Sequence, residues 1–168
     1  GAGSAVMQHL EHPFPPLYDA QSRVLILGSF PSVKSREVSF FYGHPQNRFW
    51  RVLARLLDCP VPQTIDEKSA LLHARHIALW DVIASCNIEG SSDSSIRGAL
   101  ANDLSPIFSA APIRAVFCNG ASAFSLYQKH LAEQTGFAAA QLPSTSPANA
   151  AWSLDRLTEA WGVILEYL

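Results

Sequence analysis

The chain of 168 residues carries 12 basic and 14 acidic side chains, a formal charge of -2 at pH 7, so bulk charge neither draws it to a polyanion nor excludes one. Charged residues make up only 15% and the hydrophobic set 48%, with Trp 4 and Phe 9, which excludes a disordered chain and fits one domain with a substantial core. The apolar runs are short and interrupted, which speaks against a secretory or transmembrane segment and sets the expectation of a cytoplasmic protein without a membrane partner.

Residues 1–6, GAGSAV, precede Met7 and receive no role. Residues 1–23 read as an extended N-terminal segment, because each residue before a proline in HPFPPLYD (His12 to Asp19) is kept out of the helical region; packing is its expected task. A single domain follows over 24–168. Val24 to Leu27, VLIL, ended by Gly28, suits a fully buried parallel strand. After the turn GSFPS (Gly28 to Ser32), the run NRFWRVLARLL repeats apolar residues at Phe49, Trp50, Leu53, Leu56 and Leu57, which predicts a helix capped by Asn47. Asp66 to Arg75 is a second helix and Ile77 to Trp80 a second strand, leading to Asp81. Glu89 to Ser95 is a polar loop, and Ala99 to Phe108 reads as a helix ended near Pro112. Arg114 to Cys118 is a third strand running into Asn119-Gly120 and a helix through Leu131. Ala140 to Leu142 is the last strand, followed by the loop PSTSPANA (Pro143 to Ala150) and a helix from Leu154 to Tyr167. Short apolar strands alternating with helices predict a three-layer α/β/α sandwich around a short parallel sheet. Ligands of such sheets bind beyond the carboxyl ends of the strands, which directs attention to the loops after Leu27, Trp80, Cys118 and Leu142.

These loops carry modest signals. Gly28 and Pro31 allow a sharp turn whose backbone N–H groups could hold an anion or a carbonyl oxygen, and a turn without chemistry fits equally well. The pattern is neither a dinucleotide fingerprint nor a P-loop. Phe40, Phe41 and Tyr42 stand before Gly43 and Pro45, where one ring is expected to face a cleft and offer a wall for a nucleobase, with a core aromatic corner as the alternative. Asn119 can match the edge of a base amide or simply make an Asn-Gly turn. Ser144, Thr145 and Ser146 give a stiff, hydroxyl-rich loop suited to a phosphate backbone, or only a turn. His44, His73, His76 and His130 lack metal-ligand spacing, and Cys59, Cys86 and Cys118 lack a C-x-x-C pair, so reduced core thiols and no metal are expected. NGASAF is only a loose likeness of a serine-hydrolase elbow. What remains is a site of amides, hydroxyls and rings with no strong base, fitting a reaction whose leaving group departs readily.

With VLILGSFPSVKSRE, FFYGHPQNRFW, ALWDVIASC, FCNG and LPSTSPAN in this order from Val24 to Asn149, the chain resembles the uracil-DNA glycosylase superfamily, and within it the hypoxanthine (deoxyinosine) DNA glycosylase branch. GHPQNRFW is the most specific of these, being very similar to an H-P-x-N-R-F-W run of the mismatch-specific uracil glycosylases. The resemblance implies a monofunctional enzyme that hydrolyses the N-glycosidic bond of hypoxanthine, uracil or both in base excision repair, acting as a monomer on double-stranded DNA, with single-stranded DNA left open. The first loop of the mismatch-specific relatives carries a water-positioning asparagine where this chain has Phe30. In the hypoxanthine branch that role belongs to the second anchor, hence to Asn47 as catalytic residue, which is expected to hold the attacking water through its carbonyl oxygen. By the same resemblance, Tyr42 stacks on the extruded base, the backbone around Gly28, Ser29 and Phe30 meets the base edge, and Asn119 reads it. Ser144, Thr145 and Ser146 press on the duplex, Lys34 meets a phosphate, and Asp81 and His44 are accessory. Other branches hold an iron-sulphur cluster on four cysteines, and three cysteines imply no such cofactor here. A noncatalytic lesion- or nucleobase-binding module and an enzyme of free nucleosides are the alternatives.

Overall fold

The computed structural model describes residues 8–88 and 97–168; residues 1–6 and the polar stretch Glu89 to Ser95 fall outside the described residues. In chain order come β1 (Gln8–Glu11), β2 (Val24–Gly28), α1 (Val33–Val38), α2 (Phe49–Leu57), α3 (Ile65–Ala74), β3 (Ile77–Asp81), β4 (Ile83–Ile88) and β5 (Arg97–Ala101). The chain continues with α4 (Ser105–Ala110), β6 (Ala115–Asn119), α5 (Ala121–His130), α6 (Ala132–Thr135), β7 (Ala139–Leu142) and α7 (Leu154–Trp161). A parallel sheet in the order β3-β2-β6-β7 forms the centre, with helices packed around it, as the alternating pattern predicts. Every residue of β2 and β3 is buried, which is why VLIL and IALW read as unbroken apolar runs. None of the helices among the described residues is long and apolar enough to cross a membrane.

Register decides what the sheet presents at its carboxyl edge. Gly28 pairs with Asp81, Leu27 with Cys118, and Asn119 with Leu142. The ends of β2, β3 and β6 therefore stand level, and the loop from Pro143 starts beside them.

Four local readings differ from the structure. A second, antiparallel sheet in the order β1-β4-β5 replaces the first part of the helix expected over Ala99 to Phe108. Pro106 lies in that stretch; lacking an N–H, it is at home in a helix's first turn, and α4 starts just before it. Helix α1 escapes periodicity because it is only six residues long; Ser32 starts it by accepting the Ser35 N–H at 3.2 Å. Asn47 is not the cap of α2: Arg48 holds that position, and Asn47 Oδ1 accepts the Phe49 N–H at 2.9 Å from one residue further out. The C-terminal helix tightens after Trp161 into a 3-10 turn over Gly162–Tyr167.

The N-terminal segment is part of the core. Leu17 and Leu79 exchange backbone hydrogen bonds of 3.0 and 2.9 Å along the edge of β3, and Phe14 and Leu17 are buried. His12 donates its backbone N–H to Ala84 O at 2.8 Å, which places its ring beneath the carboxyl edge of the sheet.

Candidate active site

A cleft of about 720 Å³ opens at that edge, floored by Gly28, Asp81 and Asn119 and walled by Tyr42, Asn47 and the loop Ser144 to Ser146. Ser29, Phe30 and His44 also line it. Of the residues that the resemblance assigns to the site, Lys34 alone stands outside the lining; it is exposed on α1 and pairs with Glu37 at 3.5 Å.

Tyr42 has a left-handed backbone, φ 51°, a conformation that costs an aromatic residue on the order of 1–2 kcal/mol. The hydroxyl of Ser35 holds it there by accepting the Gly43 N–H at 2.9 Å. The Tyr42 ring stacks on Phe49 at 4.2 Å between centroids and 25° between planes, and Phe49 in turn meets Trp161 edge-on at 5.8 Å. One face of Tyr42 is thus backed by core rings while the residue lines the cleft. Its hydroxyl is buried. Burial first, and the nearby Asp81 carboxylate second, raise its pKa above the usual phenol value, so the ring acts as a neutral wall.

Beside it runs a chain of three side chains. Asn47 Oδ1 accepts both the Phe49 N–H and the Thr145 hydroxyl, each at 2.9 Å. Thr145 accepts from Asn119 Nδ2 at 3.0 Å and returns its own backbone N–H to Asn119 Oδ1, also at 3.0 Å. The carbonyl oxygen of Asn47 is fully engaged, so the end of the amide left for a ligand is Nδ2, a donor. Thr145 is fully buried between two asparagines, whereas Ser144 and Ser146 beside it keep partly exposed side chains.

Arg48 carries a role that the sequence did not announce. Its guanidinium donates to the carbonyls of Ser146 and Asn149 at 3.0 Å each and to that of Trp152, and its backbone N–H reaches Thr145 O at 3.0 Å. One cation thereby holds both the loop and the asparagine next to it. Trp161 Nε1 adds a bond to Pro143 O at 2.9 Å, and the Ser144 and Ser146 hydroxyls accept backbone N–H groups within the loop. The only hint in the sequence is the adjacency of Asn47 and Arg48.

Asp81 lies in the floor with 4% of its surface exposed. Its Oδ2 accepts from His12 Nε2 at 2.6 Å, and its Oδ1 lies so close to Gly28 that an added Cβ would come within 2.5 Å. Gly28 is therefore required for space. His12 is enclosed by Phe14, Phe30 and Trp80, with ring centroids 4.5, 5.9 and 4.3 Å away. Nothing in HPFPP distinguishes this histidine in sequence, because its partner is contributed by a strand 69 residues away. His44 accepts the Gln46 N–H on Nδ1 at 3.1 Å, leaving Nε2 as its other polar atom.

This geometry can hold a flat ring and surround it with fixed donors on one side and a carboxylate on another. The chain is 32% identical over 160 residues to a hypoxanthine DNA glycosylase of Methanosarcina acetivorans, covering 94% of this chain and 99% of that protein. A second hypoxanthine DNA glycosylase, from Methanosarcina barkeri, is 36% identical over 110 residues, covering 64% of this chain and 69% of that protein. A solution NMR structure of a candidate uracil DNA glycosylase from Methanosarcina acetivorans superposes with TM-score 0.77 at 34% identity, covering 90% of this chain and 93% of that one. The family model of the uracil DNA glycosylase superfamily matches residues 15–165, and the chain belongs to that superfamily, whose members hydrolyse N-glycosidic bonds.

Proposed function

We propose that this protein is a monofunctional DNA glycosylase that removes hypoxanthine, and secondarily uracil, from double-stranded DNA, working as a monomer. The observation that carries the reading is the pairing of a backed aromatic wall, Tyr42, with a clamped amide, Asn47, in one cleft at the carboxyl edge of the sheet. Names of the similar proteins favour hypoxanthine. A cleft of about 720 Å³ admits either base, so selection rests on polar contacts.

The extruded base stacks on Tyr42, after a flip that costs a few kcal/mol and least for a mispair. Deamination turns a ring nitrogen of adenine or cytosine from acceptor into N–H and replaces an amino group by a carbonyl. Asp81 is an acceptor suited to that new N–H, and it would repel the lone pair of an undamaged base. Backbone N–H groups around Gly28, Ser29 and Phe30, with the second Nδ2 proton of Asn119, suit the carbonyl and the negative charge that develops as the base departs. Asn47 holds the water through Nδ2, the water oxygen accepting one hydrogen bond and keeping its other lone pair for C1′. An amide has no useful basicity, so its contribution is position and electrostatics, and the proton leaves late. Among the described residues no lysine lines the cleft, which supports hydrolysis over a Schiff-base lyase. Lys34, Ser144 and Ser146 meet phosphates, and His44 is accessory.

End-labelled duplexes carrying one deoxyinosine or one deoxyuridine, followed by alkaline cleavage, test this, with Asn47→Ala as control. Hypoxanthine release by the wild type, lost in the variant, supports the assignment. Release of uracil alone replaces the substrate. Lesion-specific binding without release from either duplex turns the reading to a noncatalytic module.

A further inference from the structure

The hydrogen bonds that join Asn119, Thr145 and Asn47 each have one possible direction. Phe49 N–H can only donate, so it fixes which end of the Asn47 amide is Oδ1. Thr145 N–H can only donate, so it fixes Asn119 Oδ1 in the same way. Asn119 Nδ2 then has to donate to the Thr145 oxygen, and the single hydroxyl proton of Thr145 has one destination left, Asn47 Oδ1. The Thr145 side chain is fully buried, so its hydroxyl is out of reach of solvent. Turning the Asn47 amide over would set its NH2 against two donors.

From this we infer that Thr145 is a positioning residue for catalysis, which makes Asn47 a hydrogen-bond donor toward the reacting centre and ties its orientation to the base-side Asn119. The inference rests on the glycosylase reading above and deepens it. Thr145 touches no substrate; it acts through Asn47. Three consequences separate this role from plain packing. Removing the hydroxyl lowers the rate of the bound complex and leaves affinity alone, because the cleft surface is unchanged. Serine, with the same proton and oxygen, restores the rate. Aspartate at 47 keeps both acceptor contacts but turns an oxygen to the cleft, so it fails like alanine, whereas a water held on a carbonyl oxygen would be held as well or better by a carboxylate.

Single-turnover excision from a deoxyinosine duplex, run alongside binding to a duplex with a tetrahydrofuran abasic analogue, reads all three. For Thr145→Val the limiting rate is expected to fall about 10-fold or more, the scale of one lost oriented hydrogen bond, with half-saturation and analogue binding within about twofold of wild type. Thr145→Ser is expected within about threefold of wild type, and Asn47→Asp as low as Asn47→Ala. Thr145→Ala removes the same hydroxyl and replaces the valine variant if that one fails to fold. The side-chain amide protons of Asn119, observed by NMR, should exchange slowly in wild type and fast in Thr145→Val. A Thr145→Val enzyme at wild-type rate, an active Asn47→Asp, or equal losses of rate and analogue binding would each overturn the inference. A wild type inactive on both lesions removes the glycosylase reading and this role with it, while the NMR measurement still reports the relay by itself.

Discussion

Replacing Arg48 by methionine should loosen the catalytic edge more than any change of similar size on the surface. The guanidinium satisfies the carbonyls of Ser146, Asn149 and Trp152, spread over the loop that carries Thr145. Hydrogen bonds to a charged group contribute roughly 1.5–3 kcal/mol each, but the freed carbonyls lie near the surface and recover water. A net loss of about 2–4 kcal/mol follows. Methionine fills the same length of apolar stem, so the backbone bond from Arg48 N to Thr145 O at 3.0 Å can persist. Urea titration gives the stability change, and hydrogen exchange of residues 144–152 tells whether the loss is local. We expect exchange to rise there while β2 and β3 keep their protection, and excision to fall at least tenfold because Thr145 moves with the loop. Lysine should recover only part of the loss, since one ammonium cannot span three carbonyls in the plane of a guanidinium. A methionine variant within about 0.5 kcal/mol of wild type, with unchanged loop exchange, would refute the idea that this cation organises the site.

Gly28→Ala is expected to abolish excision and to destabilise by about 1–3 kcal/mol on urea titration, since the new methyl would sit 2.5 Å from Asp81 Oδ1. Asp81→Asn should cut hypoxanthine excision about 100-fold while affecting purine deoxyriboside, which lacks the ring N–H, far less; equal losses on both duplexes would count against a base-reading role. Burial pushes the Cys118 thiol from 9.0 up to about 12, so the folded protein keeps a proton that the unfolded chain gives up. Stability from this group is whole below about pH 9 and declines toward pH 12, and Tyr42, also raised, acts in the same direction. Urea midpoints at pH 8 and pH 10 should therefore differ less in Cys118→Ala than in wild type, and Cys118 should resist alkylation at pH 8 until the protein is unfolded.

Much of the architecture is legible in one dimension because its causes are local. VLIL and IALW are apolar throughout since a parallel strand covered on both faces has no wet side, and the spacing of Phe49, Trp50, Leu53 and Leu57 marks the buried face of α2. FFYGHPQNRFW points to Asn47 as a site residue only through its likeness to a known family, and the helix cap that local spacing suggests for Asn47 falls on Arg48. The antiparallel sheet was not legible: β1 and β5 are short, and what makes them strands is their pairing with β4, a choice that no local preference records.

The order of the parallel strands, the cleft's place at their carboxyl ends and the residue types lining it were therefore determined by sequence, through periodicity and turn chemistry. Which atom each side chain turns to the cleft was decided by tertiary structure alone. Asn47 becomes a donor because a threonine 98 residues later occupies its oxygen, Asp81 is held by a histidine 69 residues earlier, and Arg48 reaches carbonyls about a hundred residues away. An amide or a carboxylate has no orientation of its own; its partners impose one, and here those partners meet only when the sheet brings their strand ends level.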